Sequence, residues 1–241
     1  MEMLNFIFDA ASIAPGDFTG FTFFIGSVSM LAATVWFLMQ HGQVDKKFKD
    51  SMLVAALITG IAAVHYFYMR EQWVLEGTSP TELRYIDWIL TVPLMVVEFA
   101  LLTGVGMRKL FWASVVMLVT GYFGESGVAG GDAFIWGTIS AAAYFFMAYE
   151  VGCLTIFGGP SGAVGNALNS GSGKIPSAGR MLQWFVLVGW AIYPLGYLMG
   201  TDAGMWYEGI SSIPLDMNVV YNVGDAINKI GFGMAVWSAA R

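Results

Sequence analysis

The sequence predicts an all-α fold, a single domain over residues 1–241 in which seven helices span a membrane. The first reason is composition: 57% of the 241 residues are hydrophobic and only 12% are charged, whereas charged residues make up about a quarter of an ordinary soluble domain. The second reason is that the apolar residues fall in seven blocks, most of them near the ~20 residues that a helix needs to cross a bilayer. Helices are expected because a segment in lipid must satisfy its own backbone hydrogen bonds.

The seven blocks follow one another along the chain with short connections. They are residues 18–44, residues 51–69, the segment that follows Pro80, and residues 110–124, 133–149, 181–201 and 218–240. The one long connection, residues 158–174, is rich in Gly, Ser and Asn, and this composition predicts a flexible cytoplasmic loop. Because so little sequence lies outside the blocks, we expect any activity to lie among the helices.

Basic residues predict the direction in which the helices run. Most lysines and arginines fall in alternate connections and at the C-terminus, namely Lys46, Lys47, Lys49, Arg108, Lys109, Lys174, Arg180 and Arg241. The opposite connections are acidic, with Arg70 as their one cation. The positive-inside rule therefore places the N-terminus outside the cell and the C-terminus in the cytoplasm. Membrane lipid is the expected partner, and the net charge of −6 gives no reason to expect nucleic acid or a soluble substrate.

The sequence favours neither an enzyme nor a metal protein. Cys153 is the one cysteine, so the chain forms no internal disulfide and no thiolate cluster. The sequence outside the seven blocks is too short for a catalytic domain. We therefore expect no bound metal and no enzymatic activity.

The third block contains charges in an otherwise apolar helix. Its stretch "RYIDWILTVPLMVVE" at residues 84–98 carries Arg84, Asp87 and Glu98. Asp87, Thr91 and Glu98 are spaced by four and seven residues, so they share one helical face. The spacing predicts a line of proton-carrying groups along the membrane normal.

The start of this helix sets the depth of its carboxyl groups. "SPTE" at residues 79–82 predicts Ser79 as the helix cap and Pro80 as the first helical residue. At a rise of about 1.5 Å per residue, Asp87 lies about 10 Å into the membrane and Glu98 about 27 Å. Glu98 is thus expected near the cytoplasmic end, with no cation at its depth. A carboxyl group in such surroundings keeps its proton at neutral pH, because a buried charge is costly, and would serve as a proton reservoir.

The last block carries a second set of charges, in "DAINK" at residues 225–229. Asp225 and Lys229 are one helical turn apart, and Lys229 is expected at a depth between Asp87 and Glu98. A free ammonium there is costly, so Lys229 must pair with carboxylates or be modified. A desolvated lysine is a good amine for a Schiff base with an aldehyde. From residue types alone, a purely structural ion network that joins three helices stays open.

Together, "RYIDWILTVPLMVVE", "GWAIYPLGY" at residues 189–197 and "DAINK" resemble the microbial rhodopsins. The likeness covers essentially the whole chain and is greatest to the proteorhodopsin group of light-driven proton pumps. It implies covalently bound all-trans retinal, outward proton transport and a bacterial inner membrane. It also implies a homo-oligomer, a pentamer or a hexamer.

The resemblance assigns a role to each buried charge. Lys229 resembles the lysine that holds retinal as a protonated Schiff base, and Asp87 resembles its primary counterion and proton acceptor. Asp225 resembles the second counterion, Glu98 the cytoplasmic proton donor, and Arg84 the arginine that gates the extracellular half.

The triplet of Asp87, Thr91 and Glu98 resembles the signature of the family's proton pumps. Chloride pumps of the family lack the first acidic residue, sodium pumps have a different triplet, and sensory members usually lack the carboxylate donor. A sensory rhodopsin that signals through a transducer is the alternative function, and Glu98 argues against it.

The resemblance also implies a retinal pocket. Its expected residues are Trp88, Met117, Gly121, Trp190, Tyr193, Pro194 and Tyr197, with Trp88 and Trp190 on either side of the polyene. Tyr66 and Tyr193 resemble the phenols that hydrogen-bond Asp225. Met95 stands at the family's colour-tuning position, where a nonpolar side chain implies green absorption.

Two positions concern the surface of the bundle. His65 resembles a histidine that pairs with the counterion Asp87, although a lone membrane histidine is often a plain core residue. Phe24 stands where the family has the tryptophan that meets this histidine across a subunit interface. Phe134 stands where some relatives have a glycine that admits a carotenoid antenna, and its bulk makes a carotenoid unexpected. A small change of alignment, to Gly137, would reverse that expectation.

Overall fold

The computed structural model describes residues 13–200 and 215–241, which fold as helices joined by short connections. In chain order the helices are α1 (Phe18–His41), α2 (Lys49–Glu76), α3 (Thr81–Thr103), α4 (Arg108–Ser126), α5 (Ala133–Val151), α6 (Ala163–Asn169), α7 (Ile175–Trp184), α8 (Ile192–Met199) and α9 (Met217–Ala239). Single 3₁₀ turns lie at Lys46–Phe48 and Cys153–Phe157, and a π-helical turn, Phe185–Gly189, lies between α7 and α8. Over these two ranges the chain has no β-strand.

Five helical segments are long and apolar enough to cross a membrane: Phe18–His41, Lys46–Glu76, Thr81–Thr103, Ala133–Val151 and Ile175–Met199. Two further helices, α4 and α9, complete the seven-helix bundle, with α7 and α8 counted as one pass. They are less uniformly apolar because α4 begins with Arg108 and Lys109, and α9 carries Asp225 and Lys229. Large apolar side chains such as Leu31, Leu57 and Phe145 cover the outer surface, which suits contact with lipid. The prediction of an all-α seven-helix fold is confirmed.

The connections between the helices lie at two opposite ends of the bundle. The loop end holds the connections at residues 42–48, 104–107 and 152–174, and the far end holds those at residues 77–80 and 127–132. Both α3 and α9 run from the far end to the loop end. Aspartates cap three helices at their first turn, Asp17 on α1, Asp132 on α5 and Asp216 on α9. Glycines with positive φ end α2 and α3, at Gly77 and Gly104, because this conformation has no steric cost for Gly.

The start of α3 differs by one residue from the prediction. The first helical hydrogen bond runs from the Arg84 amide to the Pro80 carbonyl at 3.0 Å, so Pro80 takes the cap position and the helix begins at Thr81. Ser79 was expected to cap the helix. Its hydroxyl instead donates to Oδ1 of Asn218 at 2.9 Å and accepts from Nη1 of Arg84 at 3.2 Å.

The predicted flexible loop at residues 158–174 was wrong in part, because it contains a packed helix. Residues Ala163–Asn169 form α6, and its Val164 and Leu168 are 1% and 0% exposed. These two apolar residues are four positions apart and therefore face the same side of the helix. That side packs against the bundle, so α6 covers part of the loop end.

Candidate functional site

Lys229 lies at the centre of a buried ion cluster. Its Nζ donates to Oδ2 of Asp87 at 2.5 Å and to Oδ2 of Asp225, one turn earlier on α9. Lys229, Asp87 and Asp225 are 2%, 0% and 1% exposed. Among the lysines that the structure describes, Lys229 alone is buried. A charge at this depth is tolerated because it is paired, and here one ammonium has two carboxylate partners.

The two carboxylates have unequal surroundings. Asp225 accepts from Tyr66 at 3.0 Å on Oδ2 and from Tyr193 at 2.6 Å on Oδ1, in addition to Lys229. Asp87 has Lys229 on Oδ2, but its Oδ1 is buried without a hydrogen-bond donor from the residues the structure describes. Donors to a carboxylate stabilise its charged form. Asp87 is therefore the carboxylate with the free oxygen that accepts a proton more readily.

His65 lies beside this free oxygen. Its Nδ1 is 4.0 Å from Oδ1 of Asp87 and 2.9 Å from the Ile61 carbonyl in the preceding turn of α2. The histidine is thus at ion-pair distance from Asp87, with its nearer contact to the backbone. Its side chain is 18% exposed, so it connects the counterion region to the surface of the bundle.

Arg84 points away from the ion cluster. Its Nη2 donates to Oδ1 of Asn218 at 2.9 Å, and its guanidinium carbon lies 4.9 Å from the centre of the Tyr221 ring. A local ion pair between Arg84 and Asp87 was one alternative from the sequence. The ion pairs found between described residues do not include Arg84.

Glu98 lies on α3 toward the loop end of the bundle. It is fully buried, and neither carboxyl oxygen has a hydrogen-bond partner among residues 13–200 and 215–241. Ser51 of α2 is a polar neighbour of its carboxyl group. Along the axis of α3, Glu98 lies about 16 Å from Asp87. Thr91 lies between them, and its hydroxyl donates to the Asp87 carbonyl at 2.9 Å.

An apolar cavity of about 190 Å³ adjoins the ion cluster. The predicted pocket residues that line it are Trp88, Met117, Gly121, Phe134, Trp190, Tyr193, Pro194 and Tyr197. Met95 and Tyr66 are not part of this lining; Tyr66 lies on the ion cluster and Met95 is buried in the core of α3. Tyr193 belongs to both places, because its ring faces the cavity while its hydroxyl binds Asp225. Lys229 is not part of the lining, and Tyr193 connects the apolar cavity to the ion cluster that holds this lysine.

Phe134 and Gly137 both line the cavity on α5. Phe134 is 59% exposed and forms part of the outer wall. Gly137 does not leave an opening, because the ring of Tyr197 occupies the space where its Cβ would project.

Several residues near the site were missed from the sequence. Ser51 on α2 and Asn218 on α9 lie against predicted charges of α3, and Ser79 contacts Arg84 from the connection before α3. Asn228 donates to the Gly189 carbonyl at 2.9 Å. Tyr85 and Tyr144 line the cavity. No periodic pattern marks these residues, since their role depends on which helices become neighbours.

Comparison with known proteins identifies the family. The family model described as bacteriorhodopsin-like protein matches residues 17–241. The chain belongs to this family. Family membership implies an integral membrane protein with a retinal chromophore, and the apolar cavity beside a buried lysine fits that group.

Similar proteins include both green-light absorbing and blue-light absorbing proteorhodopsins. The chain is 40% identical to the green-light absorbing proteorhodopsin of Gamma-proteobacterium EBAC31A08, over 93% of this chain and 87% of that protein. It is 42% identical to the blue-light absorbing proteorhodopsin of Gamma-proteobacterium Hot 75m4, over 93% and 86%. The crystal structure of blue light-absorbing proteorhodopsin from Med12 superposes with a TM-score of 0.75 at 38% identity, covering 93% of this chain and 98% of that one.

Proposed function

We propose that this protein is a light-driven outward proton pump with all-trans retinal joined covalently to Lys229. The observation that carries the proposal is the placement of the Lys229 nitrogen. It contacts Asp87, a carboxylate with a free oxygen, while Glu98, a buried carboxyl with no hydrogen-bond partner among the described residues, lies farther along α3 toward the loop end. The two groups lie toward opposite ends of the bundle, so a proton passed from one to the other crosses about 16 Å, about half of a bilayer core ~30 Å thick.

The residues around Lys229 fit retinal. When bound, retinal supplies a light-driven isomerisation that changes the direction in which the Lys229 nitrogen faces. Trp88, Trp190 and Tyr193 provide flat apolar walls for a polyene, and a desolvated lysine amine reacts readily with an aldehyde. Asp225 keeps its charge through Tyr66 and Tyr193, and therefore stabilises a positive nitrogen at Lys229.

Asp87 acts as the acceptor in this proposal. Its Oδ2 already contacts the Lys229 nitrogen, so the proton moves along an existing hydrogen bond. Asp225 is held as an anion by two phenols and competes poorly for the proton. His65, at 4.0 Å, is placed to modulate the proton affinity of Asp87.

Glu98 acts as the donor. Because Glu98 is buried with no hydrogen-bond partner in the part of the chain that the structure describes, the neutral carboxylic acid is its stable form. It holds a proton available to the Lys229 nitrogen from the loop end. The basic residues at that end support its placement in the cytoplasm. Proton release at the far end then moves charge outward across a bacterial inner membrane.

We expect Glu98→Gln to keep the visible colour and to slow the return of the proton to the Lys229 nitrogen by about a hundredfold or more. An amide of the same shape holds no transferable proton. Flash photolysis with a pH-sensitive dye measures both the recovery of the dark state and the proton uptake.

Glu150→Gln is the matched control, because Glu150 is also a buried glutamate, 6% exposed, near the loop end of α5. It should leave recovery unchanged. Azide, a small weak acid, should restore fast recovery in Glu98→Gln. Recovery at the wild-type rate in Glu98→Gln would remove Glu98 from the donor role.

We also propose green absorption, from the nonpolar Met95. Met95 is 2% exposed and lies seven residues after Trp88 on the same face of α3. Met95→Gln should shift the absorption maximum to shorter wavelength. Met52→Gln buries the same amide on α2, where Met52 is 0% exposed, and should leave the colour unchanged. Equal spectra for wild type and Met95→Gln would contradict the assignment.

A further inference from the structure

We propose that Asn218 is a positioning residue that holds Arg84 away from the ion cluster and thereby sets how tightly Asp87 binds a proton. This inference rests on the proposed function only in that Asp87 is the counterion of a chromophore on Lys229. Asn218 lies in the first turn of α9, while Arg84 and Asp87 are one turn apart on α3.

The partners of Arg84 are neutral. Its side chain is 1% exposed, and its two hydrogen-bonding nitrogens donate to Oδ1 of Asn218 at 2.9 Å and to Oγ of Ser79 at 3.2 Å. Its Nε is buried without an acceptor from the described part of the chain. A guanidinium only donates hydrogen bonds, so the atom of Asn218 that faces it must be the amide oxygen.

Asn218 is itself held in place. Its backbone amide donates to Oδ1 of Asp216 at 2.9 Å, and its side-chain oxygen also accepts from Ser79 at 2.9 Å. The other oxygen of Asp216 accepts from Thr19 at 2.6 Å. Asp216, two residues before Asn218, is therefore engaged in capping α9 and binding α1. Arg84 has an amide for a partner, where a carboxylate would bind it more strongly.

This arrangement leaves Arg84 close to a cluster with an excess of negative charge. The groups that face Asp87 are Lys229 and Asp225 on α9 and His65 on α2, and Arg84 lies one turn before Asp87 on α3. A guanidinium that moved onto Asp87 would stabilise the charged carboxylate and make it harder to protonate. The bond to Asn218 opposes that movement, so the strength of this bond sets the proton affinity of Asp87.

Two substitutions at Asn218 should move this affinity in opposite directions. Asn218→Ala releases Arg84 toward Asp87 and should lower the pH midpoint of the acid-induced red shift by about one pH unit. Asn218→Asp gives Arg84 a charged partner, holds it away more firmly and should raise the midpoint. The measurement is an absorption titration of the purified, retinal-loaded protein, which reports protonation of Asp87 without requiring transport.

Asn222→Ala is the matched control. Asn222 is a buried asparagine one turn along α9, and its amide donates to Thr22 at 3.0 Å and not to Arg84. Its removal should leave the midpoint within about 0.3 pH units of wild type, well inside the one-unit effect of a displaced charge. Ser79→Ala removes the other partner of Arg84 and should lower the midpoint as Asn218→Ala does, which keeps the test available if Asn218→Ala fails to fold.

A lower midpoint in Asn218→Ala and a higher one in Asn218→Asp, with Asn222→Ala near wild type, support the inference. Shifts of the same sign, shifts reversed between the two variants, or no shift in either overturn it. Light-driven transport by the wild type is measured separately. If the wild type pumps and the two shifts agree in sign, the inference fails and the proposed function stands. If the two shifts are opposite as predicted and the wild type does not pump, the inference stands and the proposed function fails.

Discussion

Asp87→Asn should abolish light-driven proton transport and move the absorption maximum to longer wavelength. The asparagine amide has nearly the same shape but cannot take up the proton that leaves the Lys229 nitrogen, 2.5 Å from Oδ2 of Asp87. Loss of a positioned acceptor typically costs about a hundredfold to ten-thousandfold in proton-transfer rate. The red shift follows because a negative charge next to the nitrogen stabilises the ground state, in which the positive charge is localised there.

Transport and spectrum are measured on the same preparation. The visible band reports how much retinal-loaded protein is present, so a loss of transport can be told from a loss of protein. Asp50→Asn is the control, because Asp50 is an exposed aspartate at the start of α2, and it should pump and absorb like wild type. An unchanged spectrum together with undiminished pumping in Asp87→Asn would refute the assignment of Asp87.

Lys229→Ala should form no visible absorption band when all-trans retinal is added. Among the lysines that the structure describes, Lys229 alone is buried. Its nitrogen donates to Asp225, which accepts from Tyr193, and Tyr193 lines the cavity. Without it, the aldehyde has no amine at the end of the cavity. The variant also leaves Asp87 and Asp225 without their shared cation, which is expected to cost about 3–5 kcal/mol of folding stability.

Lys229→Arg separates the two effects. The guanidinium keeps a positive charge between the carboxylates but does not react as an amine with the aldehyde, so this variant should fold and stay colourless. Lys174→Ala, at an exposed lysine, should form the wild-type band. A wild-type band in Lys229→Arg or Lys229→Ala would move the attachment point to another residue.

The helices and the central charges could be predicted because each depends on local sequence. Apolar block length identifies a span, and the spacing of Asp87, Thr91 and Glu98 places them on one face. The pairing of Asp225 with Lys229 follows in the same way from their separation of one turn.

Contacts between helices could not be predicted from periodicity, which shows which face of a helix is buried and not which residue it meets. Those that were predicted, such as Tyr66 and Tyr193 with Asp225, came from the family resemblance. Ser79 is an example: its sequence context favours a cap, but the neighbouring α9 presents Asn218 to its hydroxyl. The π-helical turn is another. It is marked by the bond from the Trp190 amide to the Phe185 carbonyl at 2.9 Å, and Tyr144 of α5 donates to the Val186 carbonyl at 3.0 Å.

The most direct test of outward proton pumping is the external pH of an unbuffered suspension of cells that express this chain with retinal, under green light. We expect acidification of the medium that starts and stops with the light and that a protonophore abolishes. Asp87→Asn cells at equal expression should give no change. No change of pH with wild-type cells that are visibly coloured would contradict the account, because a chromophore on Lys229 would then be present without transport.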